Sequence, residues 1–409
     1  MHRVVVTGLG CVTPVGNDVE STWQNMVDGV CGIDFIKSFD TSDSKAKVAG
    51  ELKNFDPLKY IEKRELRKTD LYVQYAIAAA QQAVDDSKII GNISQERFGV
   101  YVGSGIGGMS TFYNNSVNHY VGGSRKVSPY FIPMMISNIA AGQIAIRFKA
   151  KGDCLPVVTA CSTGTHEIGE AYLAIRHGMA DAIIAGGSEA TINPLTVAGF
   201  ANCKALSLSE DPNRASIPFD KNRNGFVLGE GAGMVVLEEY EHARNRGAKI
   251  YAEVVGYGNT CDAYHVTQPD PDSEGSARAF KLAFEDADLQ QDEKLYINAH
   301  GTSTPLNDKG ETKAIKMALG QKAYDTLISS TKSMTGHMLG ATGGVEAIVA
   351  VLALKNGIIP PTIHLEEPDE LCDLNYVPNK SIRADIDVSA SSTLGFGGHN
   401  AVIVFRKVV

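Results

Sequence analysis

Val157-Val158-Thr159-Ala160-Cys161-Ser162-Thr163-Gly164 is the stretch on which the reading of this chain turns. β-favouring and small residues lead up to a cysteine. Small residues then open a segment with helical spacing: Ile168, Ala171, Tyr172 and Ile175 share one face, and Gly178 stops it. The pattern predicts a strand turning sharply into a helix, an α/β unit with Cys161 at the helix N-terminus. Unpaired N–H groups and the positive end of the helix dipole favour a thiolate there. A cysteine in a βα turn is more often a small buried residue, so a nucleophile needs partners elsewhere.

Two histidines answer that need. Asn298-Ala299-His300-Gly301-Thr302-Ser303-Thr304-Pro305 follows a predicted strand, Leu295-Tyr296-Ile297, and Lys332-Ser333-Met334-Thr335-Gly336-His337 follows another, Thr326 to Ser330. Both histidines are expected past C-terminal strand ends, where open α/β folds place their chemistry. Small neighbours let a ligand approach each ring. The other histidines, such as His2, His119, His177, His242 and His364, read as structural. One cysteine with two distant histidines is the pattern of thiol-based acyl transfer.

Those runs, with Gly395-Phe396-Gly397-Gly398, resemble in order and spacing the signatures of the elongating β-ketoacyl-acyl-carrier-protein synthases. The resemblance extends from Arg3 to Phe405 and is greatest to the stand-alone bacterial type called synthase II. It implies an α/β thiolase fold, five layers α-β-α-β-α built from two similar βαβαβ halves, 1–250 and 251–409, and normally a homodimer. It implies a decarboxylative condensation with Cys161 as acyl carrier and His300 and His337 serving the malonyl half. Lys332, paired with Glu346, would hold the histidine network, and Phe396 would gate the nucleophile and donate its N–H to an oxyanion. Thr302 and Thr304 match threonines that bind a phosphopantetheine arm; Ile106 and Phe200 match acyl-pocket walls. The expected partner is acyl carrier protein, and no metal or organic cofactor is implied. A polyketide-type ketosynthase or a non-catalytic chain-length subunit is the alternative; the second would lack Cys161. A degradative thiolase would need another cysteine after Cys372, and there is none.

Composition bounds the rest. The chain has 409 residues, 41 glycines, and seven cysteines without CxxC spacing, which points to a reducing compartment without a disulfide framework or structural zinc. Val4-Val5-Val6, cut by Gly8 and Gly10, reads as a first strand and not a signal peptide. The apolar run Val345–Leu354 is shorter than the roughly 20 residues of a membrane span. A cytoplasmic protein is expected.

Net charge is −9, so an acidic carrier would have to dock on local basic clusters. Lys63, Arg64, Arg67 and Lys68 are spaced along one side of a predicted helix, and Arg125 and Lys126 lie in a stretch free of acids from Met109 to Gly152. The resemblance assigns carrier docking to Arg64, Arg67, Lys68, Arg125 and Lys126. It also places an arginine near Ser209, where this chain has Glu210 and Asp211 instead.

Two further patterns bear on organisation. Val4 to Gly10 resembles Ala252 to Gly258, a faint repeat, with Glu238–Lys249 as a predicted bridging helix. Gly103-Ser104-Gly105-Ile106-Gly107-Gly108 satisfies G-x-G-x-x-G after a strand. The acid expected about 20 residues later is missing, since Asp153 is the first, so no nicotinamide cofactor is expected.

Overall fold

The computed structural model describes residues 1–408. Nine strands form one sheet: β1 Val4–Val12, β2 Phe98–Gly103, β3 Ala182–Glu189, β4 Gly231–Glu239, β5 Ala252–Cys261, β6 Leu295–Asn298, β7 Leu327–Ser329, β8 Val388–Gly395 and β9 His399–Arg406. Their order is β2-β3-β4-β1-β5-β9-β8-β6-β7. The halves meet where β1 pairs antiparallel with β5, Val4 opposite Val254 and Val6 opposite Ala252.

The helices that matter are α1 Leu71–Ser87, α2 Met109–Gly122, α3 Ile139–Phe148, α4 Thr163–Arg176, α5 Glu274–Asp286, α6 Pro305–Leu319 and α7 Thr342–Asn356. α4 and α7 touch strands of both halves and form the middle layer. Strand residues alternate accordingly, as the two-residue pleat requires. Ile183 and Ala185 join Ile168 and Val345 in the central core, while Ala182 and Ile184 face α1 and α3. In the second half Ala401, Ile403 and Phe405 face inward, and Val402 and Val404 face α5 and α6. The result is the expected five-layered α-β-α-β-α body.

The faint repeat has a physical cause. Gly8 and Gly10 lie against α1, where a Cβ would collide with the carbonyl oxygens of Ala83 and Ala79. Gly256 and Gly258 lie against α5, facing those of Ala283 and Ala279. Each half needs two bare backbone positions so that a helix can seat on its innermost strand.

Several expectations change. Val157–Thr159 forms no strand: Cys154 and Leu155 occupy the β2 edge, then the chain leaves it. The Val157 N–H donates instead to Glu167 Oε1 (2.7 Å) and the Thr159 N–H to Thr163 Oγ1 (2.9 Å). The bridging helix shrinks to Tyr240–Asn245, because β4 runs on to Glu239. The basic helix is a single turn, Lys63–Leu66, with Arg67 as its cap. The apolar run near Val345 is part of a stretch from Leu339 to Asn356, 18 residues long, of which 89% is buried between the sheets. It is one of the two core helices of the middle layer.

Candidate active site

Cys161 occupies a helical turn, Ala160–Ser162, that leads directly into α4. Ala160 has φ +51°, a left-handed conformation costing a non-glycine residue about 1–2 kcal/mol. That bend turns the chain sharply at Cys161. Gly395 closes against the same turn: a Cβ there would stand 2.8 Å from Thr159 O. Ser162 Oγ donates to His399 O at 2.9 Å and ties the turn to the β8–β9 hairpin that carries Phe396.

One cavity of about 620 Å³ is lined by Cys161, His300, His337, Thr302, Thr304, Ile106, Phe200 and Phe396. Residues up to 290 positions apart in the motif list therefore share one space. Lys332 and Glu346 do not line it. They stand behind the histidines, each 1% exposed, with Lys332 Nζ 2.6 Å from Glu346 Oε1. Glu346 is thus removed from the substrate-contacting group: its carboxylate lies on the buried, mostly apolar helix α7 and faces the lysine. His337 is not directly past a strand end, since a helical turn, Lys332–Thr335, intervenes.

The thiol and the imidazoles are poised differently from a simple thiolate site. Burial pushes Cys161 up to about 12, against the opposing pull of the Phe396 N–H and the Lys332 charge. The helix N-terminus alone does not ionise it. Burial also holds His300 and His337 well below their ordinary value, with Lys332 pushing the same way. Both rings are neutral, and each carries one donor. His337 Nδ1 lies 3.1 Å from Thr342 Oγ1, while its Nε2 and the Nδ1 of His300 are buried without protein partners.

Aromatic rings line one side in sequence: Phe396 against Phe200 (6.4 Å), Phe200 against Phe226 (5.5 Å), Phe226 against His337 (5.3 Å). Phe226 was not legible as a site residue. Neither was Glu311, whose carboxylate accepts the N–H groups of His300 and Gly301, each at 2.8 Å, and Ser392 Oγ at 2.8 Å. Its place on α6, eleven residues after His300, gives no local signal. Lys204, also overlooked, lines the cavity, as do Cys203 and Asn224. Arg223 holds the loop of the two threonines through the carbonyls of Thr304 (3.2 Å) and Pro305 (3.1 Å). Thr302 and Thr304 share a hydroxyl contact of 3.0 Å.

The basic clusters divide. Arg64 pairs with Glu62 and Lys68 with Glu65, whereas Arg67, Arg125 and Lys126 are exposed and make no ion pair among the described residues. Lys68 Nζ sits 5.8 Å from the Tyr130 ring, which brings the two segments together. Among the described residues no group of three or more His, Cys, Asp or Glu side chains is arranged to hold a metal.

Comparison with known proteins agrees along the whole chain. Residues 1–243 match the beta-ketoacyl synthase N-terminal domain, and residues 251–366 its C-terminal domain. A 3-oxoacyl-[acyl-carrier-protein] synthase 2 of Staphylococcus aureus is 51% identical over 406 residues, 99% of this chain and 98% of that one. Its counterpart from Synechocystis sp. is 49% identical over 407 residues, with the same coverage. Among solved structures, a type II polyketide ketosynthase bound to its acyl-carrier protein and the hexaketide superposes with TM-score 0.93 at 34% identity. A beta-ketoacyl synthase from Burkholderia phymatum gives 0.91 at 34%. Both cover 100% of each chain. With fold, motif order and cavity in agreement, the chain belongs to the β-ketoacyl synthase family.

Proposed function

We propose that this protein condenses an acyl-carrier thioester with malonyl-carrier, releasing CO2 and lengthening the acyl chain by two carbons, the elongation step of type II fatty acid synthesis. The observation that carries the reading is the cavity itself, with a cysteine thiol and two neutral histidines opening into one space. The roughly 50% identity to synthases of that name, against 34% for the polyketide ketosynthase, favours fatty acid elongation over polyketide assembly.

In the first half-reaction the Cys161 sulfur attacks the thioester carbonyl. The carrier leaves as a thiol with the Cys161 proton. The N–H groups of Cys161 and Phe396 hold the tetrahedral oxyanion; losing one such donor typically costs about 3 kcal/mol in the transition state. Ionisation is needed only as the C–S bond forms, so a thiol resting state is compatible with the chemistry.

In the second half-reaction malonyl-carrier loses CO2, and the electron pair of the broken C–C bond passes to an enolate. His300 and His337 donate to the enolate oxygen, and the Lys332 charge behind them favours the anion. The enolate carbon attacks the acyl group, the bond to sulfur breaks, and the Cys161 thiolate recovers a proton from solvent. Loss of CO2 drives the step, so no resident cofactor is required. Thr302 and Thr304 hold the pantetheine arm, and Ile106 and Phe200 bound the acyl chain. Arg67, Arg125 and Lys126 are the main docking charges for an acidic carrier, with Arg64 and Lys68 partly neutralised by their glutamates. The enzyme acts in the cytoplasm as a homodimer. Exposed Val117, Tyr120 and Val121 on α2, with Ile132 on the short helix Phe131–Met135, form an apolar surface suited to a second copy.

The test is turnover of malonyl-carrier with acyl-carriers of increasing length, followed by mass spectrometry. A product two carbons longer is expected; no condensation with any length rejects the reading.

A further inference from the structure

The glycine-rich loop 103–108 binds no nucleotide, yet it is built to bind an anion. It holds one that the chain supplies. Glu189, at the end of β3 and 0% exposed, accepts Ser104 Oγ (2.8 Å) and the Ile106 N–H (3.3 Å) on Oε1. Its Oε2 accepts the Gly105 N–H (2.8 Å) and the Gly340 N–H (3.0 Å). Ser104 Oγ in turn accepts the Gly107 N–H at 3.0 Å. A Cβ on Gly105 would stand 2.8 Å from that carboxylate, and one on Gly340 would collide with the Gly105 nitrogen. The motif looks like a phosphate cradle because neutral donors converge on one carboxylate.

The same carboxylate joins two cavity walls. Gly105 and Ile106 belong to one, and Leu339, beside Gly340, to the other; all of Gly105, Ile106 and Leu339 face the cavity. Leu339 also follows His337 by two residues. The Gly105 backbone packs close to Ala160, next to the nucleophile.

We infer that Glu189 is a positioning residue that fixes the acyl-side wall of the cavity at Ile106 and Leu339, and that chain-length selection depends on it. The inference rests on the proposed reading that the acyl group on Cys161 extends past Ile106. Without the carboxylate, the Ile106 loop and the Leu339 turn have no common anchor, and a wall that yields discriminates less between chain lengths.

The experiment compares wild type, Glu189→Gln and Ser104→Ala. The amide turns one acceptor oxygen into a donor facing N–H groups, so bonds to the loops are lost. Ser104→Ala removes one donor to the carboxylate, together with the acceptor of the Gly107 N–H, leaves the carboxylate in place, and guards against a misfolded first variant. kcat/KM is measured with butyryl-, octanoyl- and tetradecanoyl-carrier. The wild-type ratio between best and worst length is expected to flatten about fivefold or more in Glu189→Gln, and in the same direction but less in Ser104→Ala. Unchanged ratios in the folded variants, even with lower overall rates, make Glu189 a purely structural carboxylate and overturn the inference. A wild type that never acylates Cys161 refutes the underlying reading instead.

Discussion

The rings of His300 and His337 stand 5.2 Å apart, centroid to centroid, at 87° to each other. Edge-to-face packing lets both be buried while both line one cavity. Because burial and Lys332 hold them neutral, one donor from each can reach a single oxygen. Replacing either by alanine should lower malonyl decarboxylation by about 100-fold or more, the scale for one lost oxyanion donor. Acyl transfer to Cys161 should persist in part. Both histidines are shifted downward, so lowering pH from 7.5 to 6 leaves them uncharged. An acid limb near the ordinary histidine value of about 6.5 in decarboxylation, absent from the alanine variants, contradicts this assignment.

Acylation should be confined to one cysteine. Cys154, Cys203 and Cys261 are exposed, while Cys161 is 8% exposed. Exposure therefore favours the other cysteines, and Cys203 lines the cavity too, but Cys161 alone sits in the turn that opens α4. After incubation with acyl-carrier, peptide mass mapping should find the acyl mass on Cys161 alone. Substantial label on Cys203 or Cys261 in a folded sample removes Cys161 from its role.

The Lys332–Glu346 pair makes a prediction about stability. Removing one partner of a buried pair strands the other and costs about 3–5 kcal/mol. Lys332→Met should show that loss in denaturant unfolding, and Lys332→Met with Glu346→Gln should recover part of it. Activity should not return in the double variant, because the positive charge behind the histidines is gone. Recovery of decarboxylation there would make the pair structural only.

Carrier docking is tested through charge. Reversing Arg67 together with Arg125 should raise KM for acyl-carrier and flatten its salt dependence, since exposed charges act over about 10 Å at 0.1 M salt and mainly steer association. Turnover of a small acyl-pantetheine thioester should change little. Reversing Arg64 should matter less, because Glu62 already offsets it. Carrier kinetics unaffected at low salt move the docking surface elsewhere.

Much of this was legible in one dimension because the chemistry sits in short runs. Cys161, His300, His337 and Phe396 each lie beside small residues, and small residues are required wherever a backbone or ligand comes close. Gly8, Gly10, Gly256 and Gly258 carry the same kind of information about the fold, as contact points between strand and helix. Val157–Thr159 misled for the opposite reason. Its β propensity is real, but Cys154 and Leu155 already occupy the strand edge, and side chains from α4 satisfy its N–H groups.

The sequence by itself determined which side chains come together at the candidate site, their order, and the two-half architecture, since these depend on local residue types and on repeats. Only the tertiary structure decided their ionisation and support. Whether Cys161 rests as a thiol depends on how deeply the layers bury it. Whether His300 is held by Glu311, and the Ile106 loop by Glu189, depends on carboxylates from distant elements with no local signature. Burial and long-range hydrogen bonds arise when separate layers are brought into contact, and no stretch of sequence contains both sides of such a contact.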